Sequence, residues 1–168
     1  MPRPLGPETL NELALHYVAR FATSRAKLAH YLARKLKERG WEGEGAPDLD
    51  ALVEKLAGLG FVDDRAFAEA KAGSLTRRGY GVRRVGAALS VAGIDEEDRA
   101  PAMARAEAEQ WSAALRFAER KRIGPFAREV MERDQRQRAL SAMLRAGHGF
   151  DLARRIVEAA PGEGLEPD

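Results

Sequence analysis

A glycine followed directly by a large apolar residue occurs at three comparable places in the chain: Gly40-Trp41, Gly93-Ile94 and Gly149-Phe150. Each pair ends a stretch with helical spacing of apolar residues, and an acidic residue suited to start a new helix follows. The pairs lie about fifty to sixty residues apart, at the upper end of the periods known for helical repeats. Each interval holds three helical patterns. The spacing therefore predicts tandem three-helix repeats rather than one compact core.

Apolar residues recur at helical spacing along the whole chain, and the alternation typical of strands is missing. Between residues 102 and 122 no glycine or proline interrupts the pattern. The segment from Pro101 to Arg122 can therefore form either one long helix or two helices with a turn near Gln110. A three-helix unit of this size buries little surface alone, and neighbouring units must stack. We therefore predict an all-α fold of three tandem three-helix repeats forming an elongated, curved molecule. The predicted limits are 9–60, 61–109 and 110–160, with loose termini at 1–8 and 161–168.

Composition limits the classes of function. The 168 residues include 28 basic and 26 acidic side chains, so the net charge of +2 does not by itself indicate a nucleic-acid partner. The absence of cysteine excludes disulfides, thiolate catalysis and cysteine-bound zinc. No apolar run reaches the roughly 20 residues of a membrane span, and the N-terminus lacks the pattern of a signal peptide. We expect a cytoplasmic monomer that does not enter membranes.

A basic corner interrupts the middle of the chain. Four arginines bracket the sequence Gly-Tyr-Gly without an intervening acid: Arg77, Arg78, Arg83 and Arg84. Long cationic side chains with little competing acid suit a phosphate backbone. The alternative is that these arginines only stabilise helix ends or are solvated. Tyr80, between the two glycines, can either stack on a base or pack within the protein.

Two further basic zones are candidates for the same contact. Arg34, Lys37 and Lys27 can share one helix face opposite the apolar stripe, although a solvated outer face explains them equally well. Arg120, Lys121 and Arg122 form the second zone. Nearby acidic residues favour a surface of salt bridges there.

No set of residues predicts catalysis. Asp63 and Asp64 stand immediately before a helical pattern, where capping explains them better than a metal or acid–base role. The three histidines lack metal-ligand spacing, and no serine has a histidine at motif distance. We expect no catalytic residue, metal or cofactor, and a binding protein rather than an enzyme.

Several motifs occur together in one order. The segment 60–68, Gly-Phe-Val-Asp-Asp-Arg-Ala-Phe-Ala, is followed by Arg-Gly-Tyr-Gly at 78–81 and by Gly93-Ile94. With the opening helix pair at 14–32, this set resembles the RecX family, the bacterial regulators of RecA recombinase. The last third is similar in pattern alone. Lys27 stands where the family usually has an acidic residue, and Val82 where it often has proline.

The resemblance implies more than the pattern does. It implies a regulator that binds RecA–ssDNA filaments along their groove, contacts single-stranded and possibly double-stranded DNA, and mainly inhibits the recombinase, ATPase and co-protease activities of RecA. The basic residues named above are then the expected contacts with filament or DNA. A stand-alone DNA-binding protein of helix-turn-helix type is the alternative, since short helix pairs begin at Ser24 and Val82.

Overall fold

The structure is a computed structural model that describes residues 1–168. Its regular structure is helical, apart from one isolated β-bridge between Leu5 and Trp41. The nine α-helices are α1 (Pro7–Arg20), α2 (Arg25–Arg39), α3 (Leu49–Gly58), α4 (Asp64–Arg77), α5 (Val82–Val91), α6 (Glu96–Ala108), α7 (Gln110–Lys121), α8 (Arg133–Arg145) and α9 (Phe150–Glu158). A single 3₁₀ turn at Gly124–Phe126 follows α7.

Short polar residues begin several of these helices. Asp48, Asp63 and Asp95 each accept a hydrogen bond from the backbone N–H three residues later, at 2.8–3.0 Å. Such caps satisfy amide groups that have no partner within the helix. The breaker-free stretch at 101–122 forms two helices, α6 and α7, which meet at Glu109.

Three separate clusters of buried apolar residues divide the helices into threes. Helices α1–α3 enclose one cluster, α4–α6 the second and α7–α9 the third. The chain exposes 10460 Å² of surface, whereas a compact monomer of this mass exposes about 8,200 Å². The prediction of an all-α, three-repeat, elongated fold is confirmed. The limits 9–60, 61–109 and 110–160 stay a prediction; Val62, which they assign to the second repeat, packs into the first cluster.

Both chain ends differ from the loose termini expected for 1–8 and 161–168. Leu5 is fully buried in the first cluster, and its backbone bonds to Gly40 and Glu42 hold it beside the end of α2. At the other end, Leu165 packs against the third cluster. Arg155 donates hydrogen bonds to the Asp168 carboxylate and to the carbonyl oxygen of residue 166. These contacts are long-range, and local sequence pattern does not reveal them.

The second helix of each repeat meets the second helix of the next repeat end to end. The backbone N–H groups of Gly81 and Arg83, at the start of α5, donate to the carbonyl oxygens of Ala146 and Gly147, at the end of α8 (2.8 and 3.1 Å). The carbonyl end of one helix thus meets the amide end of the next, which suits both helix dipoles. This junction fixes the third repeat against the second.

At the junction between the first and second repeats, a serine side chain makes the corresponding contact between helix ends. Ser24, fully buried before α2, donates its hydroxyl to the carbonyl oxygen of Ala92 at the end of α5 (2.5 Å). The same oxygen atom of Ser24 accepts from the N–H of Lys27. Helices α8, α5 and α2 therefore follow one another across the three repeats, and side chains on them share one face of the molecule.

Candidate nucleic-acid interface

The basic corner between α4 and α5 is ordered around Tyr80. The guanidinium carbons of Arg84 and Arg78 lie 4.2 and 5.4 Å from the centre of the Tyr80 ring. The ring itself packs against the second and third apolar clusters. The sequence left two interpretations of Tyr80, stacking on a base and packing within the protein, and these contacts support packing. The ring holds two arginines in place by cation–π contact.

A groove of about 610 Å³, here the central groove, runs beside this corner. Residues from all three repeats line it, and its floor is largely apolar. Its charged lining residues are all cationic: Lys27, Lys71, Arg78, Arg83, Arg84 and Arg145. The end-to-end contact of α2, α5 and α8 brings these distant positions together. The structure thus forms an acid-free cationic groove across the repeat junctions.

A second groove of about 430 Å³, the third-repeat groove, continues from the first. It shares Arg78, Arg84 and Arg145 with the central groove and adds Arg120 and Lys121 from α7. Arg120 also donates a hydrogen bond to the carbonyl oxygen of Arg78 at 2.6 Å, which helps to satisfy the last carbonyls of α4. This groove, too, has no acidic lining residue.

A third groove of about 700 Å³, the first-repeat groove, lies at the opposite end of the central groove. It shares Lys27 and Val91 with the central groove and adds His30 and Arg34 from α2. Three aromatic rings complete its lining: Tyr17, Phe21 and Tyr31. We call the cations of the three grooves together the basic face; they are Lys27, Arg34, Lys71, Arg78, Arg83, Arg84, Arg120, Lys121 and Arg145.

The cations of the basic face are almost free of intramolecular partners of opposite charge. Within the face, Arg34 alone forms a salt bridge, at 3.7 Å to Glu38. The hydrogen bond from Lys35 and the charges of Lys35 and Arg34 lower the pKa of Glu38, so that this carboxylate stays charged. The salt bridges expected around Arg120 and Lys121 are absent, because their side chains turn into the third-repeat groove. The face retains its positive charge for an external anion.

Three predicted contact residues lie outside the grooves: Arg77, Lys37 and Arg122. Arg77 immediately precedes Arg78, and one residue on a helix rotates the side chain by about 100°. Lys37 is exposed near the end of α2, beyond the groove reached by Arg34. Arg122 is the exposed left-handed residue (φ 55°) that ends α7. The structure does not bring these three to the basic face.

Lys71 and Arg145 belong to the face but were not predicted from the sequence. Lys71 stands seven residues before Arg78 on α4, and this spacing repeats one helix face. That signal was available in the sequence. Arg145 comes to the groove because the end of α8 contacts the start of α5. No local pattern indicates that contact.

The two aspartates at the start of α4 have different roles. Asp63 caps α4, as expected. Asp64 is instead buried, and its carboxylate accepts a hydrogen bond from the backbone N–H of Arg25 at 2.8 Å, at the start of α2. Burial raises the pKa of Asp64 against the lowering effect of that hydrogen bond. Asp64 therefore joins the first two repeats, a role that the capping interpretation missed.

His148 lies at the junction of the second and third repeats. Its side chain is buried, and its Nε2 lies 2.9 Å from the carbonyl oxygen of Gly79. The other ring nitrogen, Nδ1, is buried without a hydrogen-bond partner. A carbonyl oxygen accepts, so Nε2 carries the proton of a neutral ring. Burial lowers the pKa of His148, which favours that neutral form.

The structure groups no three histidine or acidic side chains closely enough to hold a metal ion. None of its helices combines the length and apolar character needed to cross a membrane.

Fold and site together define a class: an all-helical repeat protein whose basic face crosses its repeat junctions. The comparisons with known proteins agree with the all-helical repeat fold. Residues 63–103 match the family model described as RecX, second three-helix domain. The regulatory protein RecX of Myxococcus xanthus is 35% identical over 168 residues, which cover 95% of this chain and 90% of that protein. RecX of Stenotrophomonas maltophilia is 37% identical over 132 residues, 79% of this chain and 77% of its own length.

Among solved structures, that of RecX from Lactobacillus salivarius has the same fold. Its TM-score is 0.68 at 19% identity, and the match covers 90% of this chain and 94% of the other. The chain belongs to the RecX family of regulatory proteins. The resemblance found in the sequence is confirmed.

Proposed function

We propose that this protein binds RecA–ssDNA filaments and mainly inhibits the recombinase, ATPase and co-protease activities of RecA in the cytoplasm. Membership of the family of regulatory proteins supports a regulatory role. The observation that carries the proposal is the basic face, which extends over all three repeats without an acidic lining residue. A filament of repeating protein and phosphate offers matching contacts along its length.

The chemistry of the face suits a phosphate backbone. Each cation that neutralises a phosphate releases condensed counterions, so several weak contacts add to a useful affinity at moderate salt. Because the contacts are distributed over three linked repeats, each one raises the effective concentration of the next. The apolar floor of the central groove additionally suits a protein surface, such as that of RecA. A monomer has all three repeats and needs no second copy to complete the face.

The activity is tested by adding the protein to RecA filaments preassembled on single-stranded DNA. We expect ATP hydrolysis, strand exchange and RecA-dependent repressor cleavage to fall as the protein is titrated. If all three activities are unchanged at saturating protein, the proposed function is refuted.

The site is tested with matched charge variants. The triple variant R78Q/R84Q/R145Q removes three cations of the central groove and keeps most of each side-chain stem. The control R128Q/R133Q/R136Q removes the same charge from exposed positions outside the three grooves. We expect the groove variant to require much more protein for half-maximal inhibition, and the control to behave like the wild type. Equal loss in both variants would show that net charge, and not the basic face, is responsible.

The helix-turn-helix alternative makes a different prediction. A stand-alone regulator should protect a defined duplex sequence from nuclease in the absence of RecA. The cations of the basic face form a surface that all three repeats share, and no single helix is placed as a recognition helix for the major groove. We therefore expect duplex binding, where it occurs, to show no footprint at a specific sequence.

A further inference from the structure

Three aromatic rings line the first-repeat groove, whereas two line the third-repeat groove and one lines the central groove. Tyr17 and Phe21 come from the end of α1, and Tyr31 comes from α2. The volume of about 700 Å³ lies within the range of ligand sites. This groove has room for a group as large as a nucleobase with its sugar.

The three rings are not equivalent. Tyr17 and Tyr31 stack on each other, with centroids 4.0 Å apart and planes 20° apart, and both pack against the first apolar cluster. Phe21 lies beside Tyr17 at 5.2 Å but does not belong to that cluster, and half of its surface (51%) is exposed. Val91, across the same groove, is 87% exposed. The tyrosine pair supports the fold, while Phe21 presents apolar aromatic surface to the groove.

Cations lie beside this aromatic surface, and the guanidinium carbon of Arg20 is 5.6 Å from the centre of the Phe21 ring. Lys27 and Arg34 line the groove together with His30, and no acidic residue does. Lys27 and Val91 also line the central groove, so the two cavities are continuous. A strand whose phosphates lie in the central groove can therefore extend into the first-repeat groove without crossing an acidic surface.

We propose that the first-repeat groove binds an unpaired nucleobase of a single-stranded nucleic acid, stacked on Phe21, while Lys27 and Arg34 contact the flanking phosphates. In a duplex both faces of each base are covered by its neighbours, whereas a single strand can turn a base onto an aromatic ring. An acidic peptide would satisfy the cations but would leave the exposed ring of Phe21 unexplained. The inference rests on the nucleic-acid contact in the proposed function and adds a site that prefers single strands.

The test compares a normal oligothymidylate with an oligonucleotide of the same length whose central positions are abasic. Both carry the same phosphates, so electrostatic contacts alone bind them equally. We expect the wild-type protein to bind the base-containing strand more tightly by about fivefold or more, the effect of stacking one base on an aromatic side chain. Binding is measured by fluorescence anisotropy in the absence of RecA.

Variants at Phe21 assign the difference to the ring. F21A should bind both oligonucleotides with nearly equal affinity. F21L keeps apolar surface but cannot stack, and should behave like F21A, whereas F21W should restore the preference. F150A is the matched control, because Phe150 is exposed to a similar degree (47%) and lines none of the three grooves. The helical content of every variant is checked by circular dichroism.

Three outcomes would overturn the inference. They are a wild type without preference, F21A with the full preference, and a loss in F21A that is equal for single-stranded and duplex DNA. In the second case, a simultaneous loss of binding to RecA filaments would show that the ring contacts protein and not a nucleobase. RecA inhibition by the wild type is measured separately, so failure of the nucleobase site is distinguishable from failure of the proposed function.

Discussion

Replacement of Gly81 by alanine should open the junction between the second and third repeats. A Cβ atom on Gly81 would lie 2.4 Å from the carbonyl carbon and oxygen of Gly147 and 2.5 Å from the backbone nitrogen of His148. All three are backbone atoms, so no side-chain rotation relieves the overlap. The end of α8 must therefore move away from the start of α5 by about 1 Å to reach ordinary van der Waals contact.

The energetic cost follows from the bonds that this movement stretches. Two backbone hydrogen bonds cross the junction, from Gly81 to Ala146 and from Arg83 to Gly147, and His148 adds a third to Gly79. At about 0.5–1.5 kcal/mol each, their weakening lowers the free energy of unfolding by roughly 2–4 kcal/mol. For a chain of this length, that corresponds to a fall in Tm of about 4–16 °C.

Thermal denaturation followed by circular dichroism measures the loss, and hydrogen exchange locates it. We expect faster exchange in α8 and at the start of α5 with little change in α1–α3. The control is G58A, because a Cβ on Gly58 meets no atom within 4 Å and alanine favours the helix. That variant should be unchanged or more stable, by up to about 1 kcal/mol. A Tm for G81A within 1 °C of the wild type would refute the end-to-end junction.

The remaining predictions concern single side chains. Burial lowers the pKa of His148, so the unfolded state takes up a proton before the folded state as the pH falls below about 6.5. The contribution of His148 to the free energy of unfolding is therefore complete above that pH, and it decreases below it by at most about 1.4 kcal/mol per pH unit. Denaturant unfolding of H148Q, which cannot take up that proton, should show a smaller loss of stability between pH 7.5 and pH 5.5. Because burial raises the pKa of Asp64, the protonated side chain adds to the free energy of unfolding at low pH, and this contribution is lost as the pH rises through the pKa of Asp64 in the folded state. D64N, which keeps the acceptor for Arg25, should therefore match or exceed the wild type at pH 7, whereas D64A should lose about 0.5–2 kcal/mol; equal stability of the two variants would contradict the repeat contact. R122G removes the strain of a left-handed backbone at a residue with a side chain, and it should raise the free energy of unfolding by about 0.5 kcal/mol. Its affinity for DNA should stay within about twofold of the wild-type value, because the loss of one exposed charge outside the grooves has a small effect.

The helices could be predicted from sequence because their signals are local. Asp48, Asp63 and Asp95 mark helix starts through a bond to an amide three residues away. The glycines at 40 and 93 adopt positive φ at helix ends. These features depend on neighbouring residues, so the pattern along the chain contains them.

The basic face could be predicted only in part, because it depends on contacts between distant residues. Arg78, Arg83 and Arg84 were found because they surround one turn. Arg145 joins them through the contact of α8 with α5, which no spacing along the chain encodes. Asp64 likewise resembles a cap by position, and its bond to Arg25 becomes visible only when the repeats are packed.

The dependence of single-strand binding on salt tests the central claim most directly. Each cation that neutralises a phosphate of a single strand contributes about 0.7 to the slope of log affinity against log salt concentration. The variant R78Q/R84Q/R145Q should therefore have a slope smaller than that of the wild type by about 2, while R128Q/R133Q/R136Q should retain the wild-type slope. Equal slopes for the wild type and the groove variant would contradict a basic face that binds the nucleic-acid backbone.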